Sequence, residues 1–264
     1  MRVLIKGAGD IATGIALRLW HGRFQVIMTE IAVPTTVRRT VSFSRAVLDG
    51  SATVEGVTAE LASSVAAVSE ILDAGRVPIL VDPEASCLTE LRPDVLVDAI
   101  LAKRNLGTSI SDAPVVIGVG PGFAAGVDCH TVVETQRGHD LGRVILQGEA
   151  LPNTGVPGEI GGYSLQRVLR APCDGLFRQE MEIGALVSPG DVVGIVEGVP
   201  VRTEISGILR GVLASGVLVR PGMKCGDVDP RCEAGHCYTV SDKARAIGGG
   251  VLEAILALTP HVTW

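Results

Sequence analysis

The sequence has few aromatic residues, and this shortage limits how its core can be built. Only 3% of the 264 residues are aromatic, although 47% are hydrophobic. The core must therefore consist mainly of Val, Leu, Ile and Ala, which suit strands that are buried on both faces. The 33 glycines also favour close packing of helices on a sheet. A chain of this length can bury a sizeable core in one large domain or two moderate ones.

The sequence also lacks the features of several protein classes. Its formal net charge is −6 and it has no basic stripe, so we expect no nucleic-acid partner. It contains no stretch of 18 or more apolar residues, so we expect no membrane helix and no membrane partner. One Arg precedes a short apolar run that ends at Lys6, which is not the pattern of a signal peptide. Six cysteines are too few for a disulfide scaffold, and we expect reduced thiols in a cytoplasmic protein.

A glycine-rich segment, KGAGDIATG, follows the first predicted strand. Gly7, Gly9 and Ala12 fit the pattern G-x-G-x-x-G/A, Gly14 lies two residues on, and helical spacing of apolar residues runs through the segment. Gly7 permits a tight turn, Gly9 lets the backbone approach a pyrophosphate, and Ala12 keeps the helix close to the strand. The segment therefore predicts a nucleotide-binding turn, against the alternative that it only packs a helix onto a sheet.

Two acidic residues bear on this site. Glu30 ends the second predicted strand, about 20 residues after Gly9, where a carboxylate can reach a ribose 2′-hydroxyl. It favours NAD, or another nucleotide with a free ribose, over NADP. Asp10 lies inside the turn, where a carboxylate crowds a phosphate, and its ordinary role is that of a helix N-cap.

Further strands are predicted at Val77–Val81, Val95–Ile100 and Val115–Val119. The last of these runs into a second glycine turn with Gly120 and Gly122. Because the carboxyl ends of parallel strands meet at one edge of a sheet, we expect this turn and Asp98 to converge with Gly7 and Gly9. The first half of the chain is thus predicted to be α/β, with a Rossmann-like, mostly parallel sheet.

A polar segment in the middle of the chain is a candidate catalytic site. In a strand, His130 and Glu134 lie on one face, as either a general acid–base pair or half of a metal site. The alternative is that both are ordinary solvent-facing residues of an edge strand.

The second half contains an internal repeat. Residues 174–194 align with 206–226 without a gap, and each copy carries a V-x-P-G turn. Two copies suit a small β-sandwich that resembles the biotinyl/lipoyl type. The segment between them, VEGVPVR, has no lysine, so we expect no covalent lipoyl or biotin group.

Four potential metal ligands follow the repeat: Cys225, Cys232, His236 and Cys237. Their spacing lacks a C-x-x-C pair, so free thiols are favoured over zinc and no metal is assigned. A last helix is predicted to begin after Ser241. Its glycines 248–250 mark either close packing or an anion-binding turn.

These patterns predict three segments. Residues 1–155 form the nucleotide-binding domain, 156–240 the repeat-built sandwich, and 241–264 a C-terminal helix that packs back on the first domain.

Long motifs carry a resemblance to a known family. They are KGAGDIATGIALRL, MTEIAVPTTVRR, VGPGFAAGVDCHTVVETQRGHDLGRVI, PNTG, GDVDPR and SDKARAIGGGVLEAIL. With them the chain resembles the YqeB-type accessory proteins of the selenium-dependent molybdenum hydroxylase system, which are distantly similar to XdhC-like maturation factors. The resemblance implies a chaperone-like role in supplying the molybdenum cofactor, as a pterin dinucleotide, to a hydroxylase of the xanthine dehydrogenase type. It also makes Cys129 the cysteine of interest, although a buried structural thiol is its ordinary role.

Three functions therefore stay open at the level of sequence. The first is an accessory protein that binds the pterin dinucleotide, since a glycine cradle recognises pyrophosphate whichever dinucleotide carries it. The second is an NAD-dependent oxidoreductase acting on a small molecule, with a nicotinamide pocket beside His130 or Lys103. The third is a structural adaptor that binds neither ligand. Catalysis and association into homo-oligomers are not decided by these patterns.

Overall fold

The computed structural model describes residues 1–259, and they divide into two compact units. Unit 1 comprises Met1–Ala32, Phe43–Asn153 and the residues from Val240 onward. Unit 2 comprises Val33–Ser42 and Thr154–Thr239. The short segment 33–42 thus clusters with the second half of the chain, although its position in the sequence places it in the first. The last five residues of the predicted segment 241–264 lie outside the described residues.

Unit 1 contains a large sheet with helices. Its elements are β1 (Arg2–Lys6), α1 (Asp10–His21), β2 (Gln25–Glu30), α2 (Ala46–Asp49), β3 (Ser51–Val54), β4 (Val57–Leu61), α3 (Val68–Asp73), β5 (Val77–Val81), α4 (Leu88–Leu91), β6 (Val95–Asp98), β7 (Val115–Val119), β8 (Ala124–Ala125), β9 (Thr131–Val133), β10 (Val144–Ile145), β11 (Gly148–Glu149) and α5 (Asp242–Leu258). The strand order of the nine-stranded sheet is β10-β9-β7-β6-β1-β2-β5-β4-β3. In this order, all neighbouring strands between β9 and β4 are parallel. The two edge strands, β10 and β3, are antiparallel to their neighbours.

The central strands consist largely of buried aliphatic residues, as the composition predicts. Residues 3–5 of β1 and 95–97 of β6 are buried completely. Strands with apolar side chains on both faces can lie only in the middle of a layered structure. Their polar ends, Lys6 and Asp98, therefore fall at the edge where the loops begin.

Close backbone contacts fix α5 against the rest of unit 1. A Cβ at Gly14 of α1 would lie 2.6 Å from the Cβ of Ala244. A Cβ at Gly248 would lie 2.9 Å from the carbonyl oxygen of Gly14, and one at Gly250 would overlap the carbonyl oxygen of Gly142. Two of the three consecutive glycines thus permit close packing, which is one of the two alternatives the sequence left open.

Unit 2 consists of two antiparallel sheets. Its strands are β12 (Val168–Arg170), β13 (Gly175–Gln179), β14 (Leu186–Val187), β15 (Val192–Val196), β16 (Val199–Arg202), β17 (Gly207–Val212), β18 (Leu218–Val219) and β19 (Lys224–Asp229). The sheet orders are β12-β19-β17-β14 and β16-β15-β13-β18. Each sheet contains strands of both copies of the repeat, since β14 of the first copy pairs with β17 of the second and β18 pairs with β13.

The predicted fold class is wrong. The inner strand pairs are parallel, but antiparallel strands at both edges make the large sheet mixed and not the Rossmann-like sheet that was expected. The second unit is a pair of four-stranded antiparallel sheets, not the expected biotinyl/lipoyl-like sandwich, and its V-x-P-G turns carry the chain from one sheet to the other. The sequence missed these features because β10, β14 and β18 have two residues each, too few to show a periodic pattern.

Among residues 1–259, no helix has both the length and the apolar composition that a membrane crossing requires.

Candidate functional site

The first glycine turn joins β1 to α1 and is held in place by backbone contacts. Gly7 has a φ of 92°, and its N–H donates to the carbonyl oxygen of Thr29 at 2.9 Å. A Cβ at Gly7 would lie 3.0 Å from the carbonyl oxygen of Ala99, so the turn has no room for a side chain. Gly9 is the N-cap of α1 and has no side chain to cap the helix. Ala12 is buried, and Asp10 is the first residue of the helix, in its partly positive first turn.

Glu30 contacts this turn directly. One carboxylate oxygen accepts the N–H of Ala8 and the other accepts the N–H of Ile31, each at 2.9 Å. Burial raises the pKa of Glu30, and the two backbone hydrogen bonds oppose that rise. The carboxylate that was predicted to bind a ribose therefore ties the end of β2 to the glycine turn.

A buried polar chain lies at the ends of β1 and β6. The ammonium of Lys6 donates to the hydroxyl of Thr108 at 2.8 Å, and that hydroxyl donates to Asp98 at 2.6 Å. Lys6 and Asp98 also form an ion pair at 3.7 Å, and all three residues are at most 4% exposed. Asp98 accepts the N–H of Ile100 as well. These contacts fasten both ends of residues 99–108, the segment that leaves β6.

The second glycine turn contacts the same segment. Gly120 and Gly122 have φ values of 82° and 108°. A Cβ at Gly122 would lie 2.6 Å from the backbone of Arg104, and one at Gly120 would lie 2.7 Å from the hydroxyl of Thr135. The turns after β1 and β7 thus flank the segment after β6, as the predicted convergence requires.

Glu134 follows β9 and is 2% exposed. One of its oxygens accepts the N–H groups of Thr135 and Gln136, and the other accepts the N–H of Leu151. It also lines an open pocket of about 450 Å³ beside β10. The pocket is lined by Glu134, Asp140, Arg143, Val144, Ile145, Leu146, Gln147, Glu149 and Leu151.

Several charged groups surround Lys243 at the start of α5. Burial lowers the pKa of Lys243, the cations Arg137 and Lys103 lower it further, and the anions Asp10 and Glu134 oppose that change. Arg137 makes a bidentate ion pair with Asp242. The segments that follow β6 and β9 and the first turns of α1 and α5 thus contribute charged side chains within electrostatic range of one group.

His130 and Glu134 are not brought together as an acid–base pair or a half metal site. They lie at opposite ends of β9, and Nδ1 of His130 accepts the N–H of Val116 at 3.0 Å. Cys129 is completely buried, and burial raises the pKa of its thiol to about 11. His130 is thus hydrogen-bonded to the sheet and Cys129 is enclosed in it. Neither side chain joins the glycine turns at the edge of the sheet.

The four potential metal ligands of unit 2 do not form a metal centre in the described part of the chain. No group of three or more His, Cys, Asp or Glu side chains in residues 1–259 is placed to hold a metal ion. All six cysteines are free thiols.

A separate cluster of buried charges lies in unit 2. Asp227 accepts hydrogen bonds from Arg167 and Arg210 at 2.7 Å. Asp229 accepts them from Arg231 and Arg210, and both carboxylates are completely buried. Burial pushes the pKa of Asp229 upward, but the Arg231 hydrogen bonds and the Arg210 charge hold it at about 2. The motif GDVDPR thus supplies a buried ion network.

The sequence patterns did not identify three cations near the site: Lys6, Arg137 and Lys243. A fourth, Lys103, was considered only as a neighbour of nicotinamide. A signal was present, because Lys103 and Arg137 each follow the end of a strand by a few residues. The position of Lys243 could not be anticipated, because it depends on how α5 packs.

The fold and the site together define a class: a two-unit protein of α and β structure whose first unit gathers glycine turns and cations at the carboxyl ends of parallel strands. Over 256 residues, or 97% of its length, the chain is 54% identical to the uncharacterized protein YqeB of Escherichia coli. This similarity supports a YqeB-type protein. The chain spans about half (47%) of the length of that relative. No family model matches the chain.

Solved structures show only weak likeness. An aspartoacylase family protein from Mesorhizobium loti is 14% identical, covering 86% of this chain and 83% of that one, with a TM-score of 0.26. A succinylglutamate desuccinylase/aspartoacylase from Rhodobacter sphaeroides is also 14% identical, covering 86% and 84%, with a TM-score of 0.28. TM-scores this low do not establish a shared fold.

Proposed function

We propose that unit 1 binds a dinucleotide through its pyrophosphate, at the edge formed by the two glycine turns and the first turn of α1. The observation that carries this proposal is the grouping of Lys103, Arg137 and Lys243 at this edge, where burial lowers the pKa of Lys243 and the charges of Arg137 and Lys103 lower it further. Like charges that gather at a partly buried site are stabilised when an anion binds between them. The uncapped N-terminus of α1 adds N–H donors with a partly positive potential.

The dinucleotide that fits the resemblance best is a pterin dinucleotide form of the molybdenum cofactor. In this proposal the chain acts in the cytoplasm as an accessory, chaperone-like protein that delivers this cargo to a selenium-dependent molybdenum hydroxylase of the xanthine dehydrogenase type. The support is what the resemblance of the long motifs implies, together with the charge at the site. No step of chemistry by this chain is part of the proposal.

The NAD-dependent oxidoreductase is the weaker alternative. Glu30, which favoured NAD in the sequence, already accepts two backbone N–H groups, and His130 faces the backbone of β7. Hydride transfer needs a proton donor or acceptor beside the substrate. Both oxygens of Glu134 already accept backbone N–H groups, and Nδ1 of His130 already accepts the N–H of Val116.

Binding can be tested by anaerobic native mass spectrometry. The chain is mixed separately with a molybdopterin dinucleotide, with NAD⁺ and with inorganic pyrophosphate. We expect a one-to-one complex with the pterin dinucleotide that is lost in the Lys243→Gln variant and kept in Arg220→Gln, which removes one exposed positive charge in unit 2. Binding of NAD⁺ without the pterin dinucleotide would favour the alternative function. Absence of every complex would refute the proposal.

A further inference from the structure

Residues 99–108 form a loop that is held by many hydrogen bonds, although most of its residues are not buried. Besides the chain of Lys6, Thr108 and Asp98, the side chain of Asn105 accepts the N–H groups of Gly107 and Thr108 and donates to the carbonyl oxygen of Thr108. Loops that carry so many internal bonds hold a fixed conformation. The part of the loop between these fastenings includes Lys103.

Two residues of this loop have a strained backbone. Leu101 has a φ of 61° and Lys103 a φ of 63°, in the left-handed region that glycine adopts without strain. Neither is a residue type that occurs there readily. Such conformations persist only where the surrounding structure enforces them.

Both residues are held against the second glycine turn, since a Cβ at Gly122 would lie 2.8 Å from the carbonyl carbon of Lys103. The Leu101 side chain packs over the second glycine turn, since a Cβ at Gly120 would lie 3.5 Å from its Cδ2. The Lys103 side chain is exposed and forms no hydrogen bond or ion pair with any described residue. The left-handed backbone of Lys103 thus carries an ammonium group that stabilises no other described residue.

The surroundings of Lys103 are suited to an anion. The turn that carries Gly122 comes within van der Waals contact of the neighbouring Arg104 backbone, which places the loop against the second glycine turn. The charge of Lys103 also reaches Lys243 strongly enough to lower the pKa of that group. A phosphate oxygen is the ligand that lysine binds as a point charge.

We infer that Lys103 is a ligand-contacting residue of the proposed dinucleotide site, and that Lys6, Asp98, Thr108 and Asn105 are positioning residues that hold its strained backbone so that the ammonium meets a phosphate. This inference rests on the proposed function. At residue 103 the left-handed backbone therefore lowers the folding stability while it raises the affinity for the ligand.

The test compares Lys103→Gly and Lys103→Met with Arg92→Gly. Arg92 is the matched control because it is also an exposed cation at positive φ (42°), but it follows α4 at the amino end of β6, away from the glycine turns. Thermal midpoints are measured by circular dichroism. Affinities for inorganic pyrophosphate and for ADP are measured by isothermal titration calorimetry.

We expect Lys103→Gly to bind both probes at least about tenfold more weakly, with a thermal midpoint equal to or a few degrees above that of the wild type. Lys103→Met should lose the same affinity without the rise in midpoint, because it keeps the strain and removes the charge. Arg92→Gly should keep wild-type affinity.

Three results would overturn parts of this reasoning. Wild-type affinity in Lys103→Gly would show that Lys103 does not contact the ligand, even though the site binds. A clearly lower midpoint in Lys103→Gly would refute the strain argument. No binding of either probe by the wild type would refute the pyrophosphate site and the role of Lys103 together.

Discussion

The three consecutive glycines of α5 allow the packing of unit 1 to be tested by glycine-to-alanine substitutions, each of which adds a single methyl group. Gly249 has no atom within 4 Å of the position of an added Cβ, whereas a Cβ at Gly250 would overlap the carbonyl oxygen of Gly142. The two residues are adjacent in the same helix, so helix propensity is the same at both. The substitutions Gly249→Ala and Gly250→Ala therefore separate packing from propensity.

The expected effects have opposite signs. Ala is favoured over Gly in a helix interior by about 1 kcal/mol, so Gly249→Ala should raise the free energy of unfolding by up to that amount. Gly250→Ala has the same propensity gain, but it forces α5 away from the β9–β10 turn, and overpacking costs roughly 1–3 kcal/mol or more. The propensity gain cancels between the two variants, so they should differ by the overpacking cost alone, about 1–3 kcal/mol or more. For a protein of this size that difference corresponds to roughly 2–12 °C in thermal midpoint.

The assay is unfolding by guanidinium chloride and by heat, followed by far-ultraviolet circular dichroism. Equal stability of the two variants would show that α5 does not approach Gly142 as described. A destabilised Gly249→Ala would show that the exposed side of α5 is covered by something else. Either result would remove the structural explanation of the three glycines.

Other predictions concern the buried charges and the thiols. Because the pKa of Asp229 is about 2 in the folded chain and ordinarily 3.8, its contribution of about 2 kcal/mol is complete above pH 4 and is lost as the pH falls toward 2. Denaturation at pH 7, 4 and 3 should show this loss, and Asp229→Asn should reduce it; an unchanged acid dependence would contradict the network. Under native conditions iodoacetamide should modify the exposed Cys232 and leave the buried Cys129 intact, as peptide mass spectrometry can check. Early modification of Cys129 would contradict its enclosure in the sheet.

The sequence could predict the elements whose pattern is local. The apolar spacing after residue 1 predicts a strand, a turn, a helix and a second strand, and the structure has β1, α1 and β2 there. The glycine turns were identifiable because positive φ restricts the choice of residue. From its spacing Glu30 was predicted to reach the ribose of a bound nucleotide, and its carboxylate accepts the N–H of Ala8 in the first turn.

Features that depend on distant partners could not be predicted. The expected acid–base pair assumed one strand running through His130 and Glu134, but β9 contains only Thr131–Val133, and both side chains are turned to backbone groups beyond it. The ion network around Asp227 joins residues as far apart as Arg167. Alternation along a strand shows which residues share a face, but not which backbone groups their side chains will bind.

The same contacts bear on how a chain of net charge −6 can accommodate the proposed anion site. Three of the acidic residues near the glycine turns are used to build loops: Glu30 accepts two backbone N–H groups, Glu134 accepts three, and Asp98 holds Thr108 and Lys6. Each is partly neutralised by the donors around it. Lys103 and Lys243, by contrast, have no hydrogen bond or ion pair within the described part of the chain. The formal balance of charge therefore does not describe the potential at this edge. In the proposed site an anionic ligand meets Lys103 and Lys243, whose combined positive charge is offset in part by Asp10 and Glu134, and binding of an anion supplies the rest of that compensation.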